Sequence, residues 1–405
     1  MSLYKGSVVH IKEMIVGLRE LGHHVTLIAP AFAEIESANS FYNIYPNAIK
    51  ILKFLGLKRK SYFISSISLF LYLFKVLPQC DIIYARECYA VLVALLPRLL
   101  FNRKLVFEIN GLASEEQRLR GSRFGNRILV WFVEEIEKLA TRCSERIVSV
   151  TPQIAAYLAR HYGCQTTKTF VIGNGVNTNR FYPMNDDALL MRLRKRLGIK
   201  QHDNIVMFVG NLAAWQGIEY LIKAAPLLVR EIRNIRFVII GNGMLKRKFE
   251  EDVNKLGLRE LFIFTGMIPY AEIPHYINVA NVCVALKQRL ISGYSPLKLY
   301  EYMACGKPVV ATDTFGFEIL REEEAGILVD PDDCVELMKA IKFLIYERDS
   351  AREMGHRGAM LVRERFGWDR AVRRVEEVLN NVLKGGKQNS SHQDMSGLRE
   401  KPKQN

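Results

Sequence analysis

Ser292-Gly293-Tyr294-Ser295-Pro296-Leu297-Lys298-Leu299-Tyr300-Glu301-Tyr302-Met303-Ala304-Cys305-Gly306-Lys307-Pro308-Val309-Val310 is the stretch on which the fold turns. Ser295 is a residue type that caps helices, Pro296 suits a first turn, Gly306 suits a helix terminus, and Pro308 opens a β-branched run. The reading is a short helix passing into a buried strand, one step of a parallel α/β sheet. Lys298 falls in the first turn, where free backbone N–H groups and the helix dipole favour an anion, and Glu301 follows three residues on along the same face. A cation suited to phosphate and a carboxylate suited to ribose hydroxyls thus point into one cleft.

The same alternation extends in both directions. Short apolar runs recur at Val25–Ala29, Asp81–Ala85, Lys104–Ile109, Arg146–Val150 and Thr169–Ile172, then at Ile205–Val209, Arg236–Ile240, Leu261–Thr265, Val282–Leu286, Pro308–Thr312 and Gly326–Val329, with helical patterns between them. Runs apolar on both faces are what strands covered on both sides by crossover helices require. Two parallel α/β sheets are predicted. The polar, turn-rich segment Gly173–Asn179, closed by Phe181-Tyr182-Pro183, sets the boundary. Domains are expected at 1–182 and 183–366, with a last helix at 367–384 returning to the first domain and a disordered polar tail at 385–405. A domain of this type normally opens with a buried strand feeding a glycine turn, yet Lys5-Gly6-Ser7 begins almost at once, so the first strand is expected to be missing, either because the start codon is misplaced or because the sheet has lost it.

The composition is that of a folded globular chain of two domains: 405 residues, 49% hydrophobic and 24% charged. The net charge of +15 favours phosphate-rich partners. No zinc-finger spacing, RNA-binding aromatic signature or arginine tract is present, so nucleic acid is not expected. The seven scattered cysteines suit reduced core thiols better than a disulfide framework or a metal site. Together with the lack of a cleavage pattern before the first helix, this points to a cytoplasmic protein. Tyr62–Leu77 follows the basic run Lys58-Arg59-Lys60 and is shorter than the roughly 20 apolar residues of a membrane span; it reads as a buried helix or as a helix resting on anionic lipid.

The quoted stretch resembles the branch of family 4 retaining glycosyltransferases with the pattern Pro-x-Lys-x-x-Glu-Tyr-Met-Ala-x-Gly-x-Pro-Val-Val. The resemblance runs from Gly6 to about Leu383, through Gly-x-x-x-His and Gly-His-x-Val near the start, Asn174-Gly175-Val176, Gly210 then Gly217, Gly241-Asn242-Gly243, Phe264-Thr265-Gly266 and Phe366-Gly367-Trp368. It implies the GT-B fold, two Rossmann-like parallel-sheet domains facing a cleft. It also implies transfer of a hexosyl group from a nucleotide-diphosphate sugar to a glycan or lipid-linked acceptor, with configuration retained and without metal or cofactor. The basic charge suggests that the acceptor lies at an anionic membrane surface on the cytoplasmic side.

On this resemblance Lys298 and His10 are the catalytic candidates. The donor would be held by Gly6, Gly210, Asn211, Gln216, Gly241, Gly243, Ile268, Pro296, Leu299 and Glu301, and the acceptor side by Arg86, Glu108 and Asn110. His10, in the first turn of its helix, is placed to position or deprotonate an acceptor hydroxyl. Three departures stand out. Gly293 occupies the place of the first of the family's two glutamates, and Gly210-Asn211 and Gln216-Gly217 stand where many members carry an arginine and a lysine for the diphosphate. Amides can donate hydrogen bonds to phosphate but cannot neutralise it. Two rival functions remain on the sequence: a nucleotide-sugar epimerase on the same fold, and a non-catalytic scaffold that binds a partner transferase or a glycan.

Overall fold

The computed structural model describes residues 6–28, 70–71, 73–119 and 124–385. The first domain begins with helix α1 (Gly6–Glu20), then β1 (Ile82–Arg86), α2 (Cys88–Leu100), β2 (Lys104–Ile109), α3 (Ala113–Arg118), α4 (Phe124–Cys143), β3 (Arg146–Ser149), α5 (Pro152–Tyr162) and β4 (Thr169–Val171). Among the described residues its sheet has four parallel strands in the order β1-β2-β3-β4. Leu105, Val106 and Phe107 are fully buried, as a strand covered on both faces demands. Helix α5 shows why such segments start and stop where they do: the Thr151 side chain caps its first turn by accepting from Ile154 N, and Gly163 ends it in the left-handed conformation.

The second domain comprises α6 (Asp187–Arg196), β5 (Asn204–Val209), α7 (Ile218–Glu231), β6 (Ile235–Ile240), α8 (Lys246–Lys255), β7 (Phe262–Gly266), α9 (Ile273–Val279), β8 (Val282–Ala285), α10 (Leu297–Ala304), β9 (Val309–Thr312), α11 (Ile319–Glu322), β10 (Gly326–Val329), α12 (Cys334–Tyr346) and α13 (Arg348–Arg365). Its six parallel strands run β10-β9-β8-β5-β6-β7. The chain order reverses between β5 and β8, so a crevice opens beyond the C-terminal ends of these two strands, where ligands bind in such sheets. Helix α14 (Trp368–Leu383) buries Trp368, Val372, Val375 and Val382 against Met14 and Leu18 of α1 and Val106 and Val148 of β2 and β3. The last helix therefore packs on the first domain, while Val176 bridges to Gly367 at the crossing.

Ten of the eleven predicted strands form within a residue or two of their expected bounds. Val25–Ala29 differs. Residues 25–28 make no strand, and Ala29 lies outside the described residues. Val25 instead packs beside α1 and α14, its carbonyl accepting from Arg19, and Ile28 packs near Leu73 and Leu77. Apolar pattern alone does not distinguish a strand from a connector that buries the same side chains. Most of Tyr62–Leu77 and the tail beyond Gly385 also lie outside the described residues. Among the described residues no helix is long and apolar enough to cross a membrane. All seven cysteines are free.

Candidate active site

Helix α10 is the centre of the second domain's half of the cleft. It begins at Leu297 with Pro296 as its cap, without a side-chain capping bond. Ser295 does not cap it: its hydroxyl accepts from Asn174 N (2.7 Å), and its carbonyl accepts from Asn174 Nδ2 (2.7 Å), both across the domain junction. Lys298, one residue into the helix, turns its ammonium to Gln216 Oε1 (2.6 Å) and lies 3.8 Å from the centre of the Phe208 ring. It also rests on Gly210, where a β-carbon would come within 2.7 Å of Nζ. Burial, reinforced by the nearby positive charge of Lys287 and partly offset by Glu301, holds the Lys298 ammonium well below the usual lysine range. Such a cation is short of negative charge.

One turn further on, Glu301 is buried and accepts from Tyr270 Oη (2.8 Å). Burial raises its carboxyl to about 7, against the opposing pull of that hydrogen bond and of Lys298 and Arg180. The Arg180 guanidinium lies over the Tyr270 ring at 5.2 Å and faces Glu13 of α1 at 3.6 Å. Beyond β6 the two glycine turns interlock. Gly241 has φ of +135°, and a β-carbon there would sit 1.9 Å from the Gly210 carbonyl oxygen. Its freedom is used first for this backbone contact. Helix α8 starts only at Lys246, three residues after Gly243.

In the first domain His10, Arg86, Glu108 and Asn110 form one cluster, with His10 and Glu108 buried and Arg86 and Asn110 half-buried. Glu108 Oε1 accepts from Asn110 Nδ2 (2.6 Å) and lies 3.2 Å from Arg86 Nε and 2.9 Å from His10 Nε2. Although burial pushes the Glu108 carboxyl up, the His10 and Arg86 charges and these hydrogen bonds bring it down to about 2. Because Asn174 spends its Nδ2 on Ser295, its Oδ1 faces His10, and His10 Nδ1 donates to it at 2.6 Å. Nδ1 is thus engaged by Asn174, while Nε2 lies against the Glu108 carboxylate. Arg86 also donates to the Ser7 carbonyl at the head of α1 (2.8 Å).

The junction is tied elsewhere too. Buried Glu115 of α3 accepts from the backbone amides of Ile291 and Ser292, and Thr151 Oγ1 donates to the Ser292 carbonyl (2.7 Å). Gly6 at the head of α1 lies against Leu297 at the head of α10, leaving 3.0 Å for a β-carbon. The proposed donor residues Gly210, Gln216, Lys298 and Glu301 therefore come together beside Gly6, with Pro296 at the head of the same helix. Asn211 and Gly243 meet in the turn beyond β5. Leu299 is fully buried and Ile268 packs against the same core, which leaves their side chains a supporting place. Tyr270, Arg180, Glu115 and Lys287 are not singled out by any motif, though Lys287 satisfies the simple rule of standing just past a strand end. Among the described residues no three of His, Cys, Asp or Glu converge as a metal-ligand set.

The profile of the family described as glycosyl transferases group 1 matches residues 191–360, and that of glycosyltransferase family 4 matches residues 4–180. The chain is a family 4-like glycosyltransferase of the GT-B fold. Its relatives include the D-inositol 3-phosphate glycosyltransferase of Streptomyces bingchenggensis, 26% identical over 62% of this chain and 55% of that protein. The alpha-D-kanosaminyltransferase of Streptomyces kanamyceticus is 32% identical over 45% of this chain and 47% of that protein. The matched region spans about half the length of these two relatives. In fold, the sucrose-phosphate synthase of Thermosynechococcus elongatus superposes with a TM-score of 0.72 at 20% identity, covering 93% of each chain. HepE of Anabaena, solved with UDP and glucose, superposes at 0.65 and 19% identity, covering 77% of this chain and 81% of its own.

In this glycosyltransferase the place of the first glutamate is structurally closed. Gly293 has φ of +62°, and a β-carbon there would stand 3.0 Å from Phe315 Cβ and 3.1 Å from Gln153 Oε1. A glutamate at 293 would be strained in this left-handed backbone and would press on Phe315 and Gln153, which would have to give by a few tenths of an ångström.

Proposed function

We propose that this glycosyltransferase moves a hexosyl group from a nucleotide-diphosphate sugar to a glycan or lipid-linked acceptor, with retention of configuration and without metal or cofactor. The observation that carries this reading is the Lys298 ammonium beside the Gly210 turn, with Glu301 one helical turn away, at the strand ends where the sheet order reverses. The leaving diphosphate would be met by Lys298, by the N–H groups at the head of α10 and by the glycine turns, which are electrostatic and positional tasks. Glu301 would hold the ribose, and the His10–Glu108–Arg86 cluster with Asn110 would orient the acceptor. The complex of HepE with UDP and glucose supports a sugar nucleotide as the donor class.

The acceptor is placed at an anionic membrane surface on the cytoplasmic side. The chain's net charge of +15 and the exposed Ile128, Trp131 and Phe132 of α4 support that setting. The test is incubation with a panel of UDP-, GDP-, ADP- and TDP-sugars and lipid-linked glycan acceptors, in the presence of EDTA. Nucleotide release and the anomeric configuration of the product by NMR are the readouts. An inverted product, dependence on divalent metal, or conversion of the sugar nucleotide to an isomer without acceptor would each refute part of the proposal.

A further inference from the structure

Lys287 is the first polar residue beyond β8, at the point where the strand order of the second sheet reverses. Its backbone is pinned: its N–H donates to Thr312 Oγ1 (2.8 Å), and the same hydroxyl donates to the Lys287 carbonyl (2.9 Å). The turn that carries Gln216 lies directly on it, since a β-carbon on Gly217 would come within 3.0 Å of Lys287 N. Gln216 in turn holds Lys298. The side chain of Lys287 is only 7% exposed, with its ammonium 4.7 Å from the centre of the Tyr294 ring. Among the described residues it forms no ion pair with a carboxylate.

A lysine buried in this way costs the fold stability unless an anion reaches it. The family's arginine and lysine after the first strand of this domain are replaced here by Asn211 and Gln216, so the charge for a diphosphate must come from elsewhere. We infer that Lys287 is the second cation of the diphosphate site, acting with Lys298 from the neighbouring strand end in place of the missing pair. This rests on the donor-binding reading above. Burial lowers the Lys287 ammonium to about 7, and its charge in turn lowers that of Lys298, so both gain from the same anion.

The test compares the parent with Lys287→Met, measuring affinity for UDP, GDP, ADP and TDP by calorimetry and the melting temperature without nucleotide. Loss of one charged contact to phosphate is expected to weaken the bound diphosphate roughly 10- to 100-fold. The empty variant is expected to melt no lower than the parent, because the uncompensated buried charge is gone. Unchanged diphosphate affinity in Lys287→Met overturns the inference. So does a lowered melting temperature, which would make the lysine a structural element. A parent that binds none of the four diphosphates overturns instead the donor-site reading, and the inference falls with it.

Discussion

Replacing Glu108 by glutamine removes the charge around which His10, Arg86 and Asn110 are gathered. The carboxyl stands at about 2 in the folded chain, against an ordinary value of 4.5. At about 1.36 kcal/mol per pKa unit, this difference is worth about 3 kcal/mol to the folded state. Because the folded value is the lower of the two, the stabilisation is complete above the ordinary value and is lost as the pH falls towards 2. Between pH 5 and pH 3 the parent should therefore lose roughly 2 kcal/mol that the Glu108→Gln chain has already lost. Urea denaturation read by tryptophan fluorescence is a suitable assay, since Trp368 lies edge-on to His10 at 5.2 Å and reports on this cluster. Expected are a variant about 3 kcal/mol less stable at pH 7 and a flatter acid limb. Equal stability at pH 7 with parallel acid limbs would refute the assignment of Glu108 as the buried anion of the cluster.

Gly241→Ala should destabilise the second domain by more than roughly 2 kcal/mol, because its β-carbon meets the Gly210 carbonyl, whereas Gly257→Ala, open but left-handed, should cost about 1 kcal/mol; thermal melts distinguish them. As the pH rises through about 7, ionisation of buried Glu301 should strengthen nucleotide binding while loss of the Lys287 charge opposes it; Glu301→Ala should weaken binding and leave only the fall with rising pH in calorimetric titrations. In the same titrations and in initial rates, Lys298→Ala should depress turnover more than affinity. Glu115→Ala leaves the amides of Ile291 and Ser292 without their acceptor, at roughly 1–3 kcal/mol. Hydrogen exchange at those two amides should quicken at least tenfold, and unchanged protection would show that the junction does not depend on Glu115.

The two-sheet architecture was readable because parallel strands buried on both faces leave apolar runs that local pattern exposes, as at Ile205–Val209 and Val282–Leu286. The helix at Leu297–Ala304 was readable because Pro296 fits a first turn and Gly306 adopts the left-handed backbone just past the helix end. Local pattern failed at Val25–Ile28, where Val25 packs beside α1 and α14 and Ile28 packs near Leu73 and Leu77 without joining a ladder. It also misassigned Ser295, whose hydroxyl a capping rule would turn inwards to its own helix, while the chain 121 residues away claims it instead.

What the sequence determined by itself is therefore periodic and local: element type, the order of strands along the chain, and the residue types at each strand end. Which of those ends meet is settled by the packing of the sheets and domains. Lys298 meets Gly210 and Gln216, and Lys287 meets the Gly217 turn, because β5 and β8 are neighbours in the sheet. Glu108 gathers His10, Arg86 and Asn110 because α1 lies over the ends of β1 and β2. A glutamate at 293 would be disfavoured because the backbone there is left-handed and Phe315 and Gln153 crowd it. Long-range contacts of this kind depend on sheet order and domain closure, and neither leaves a period in the chain.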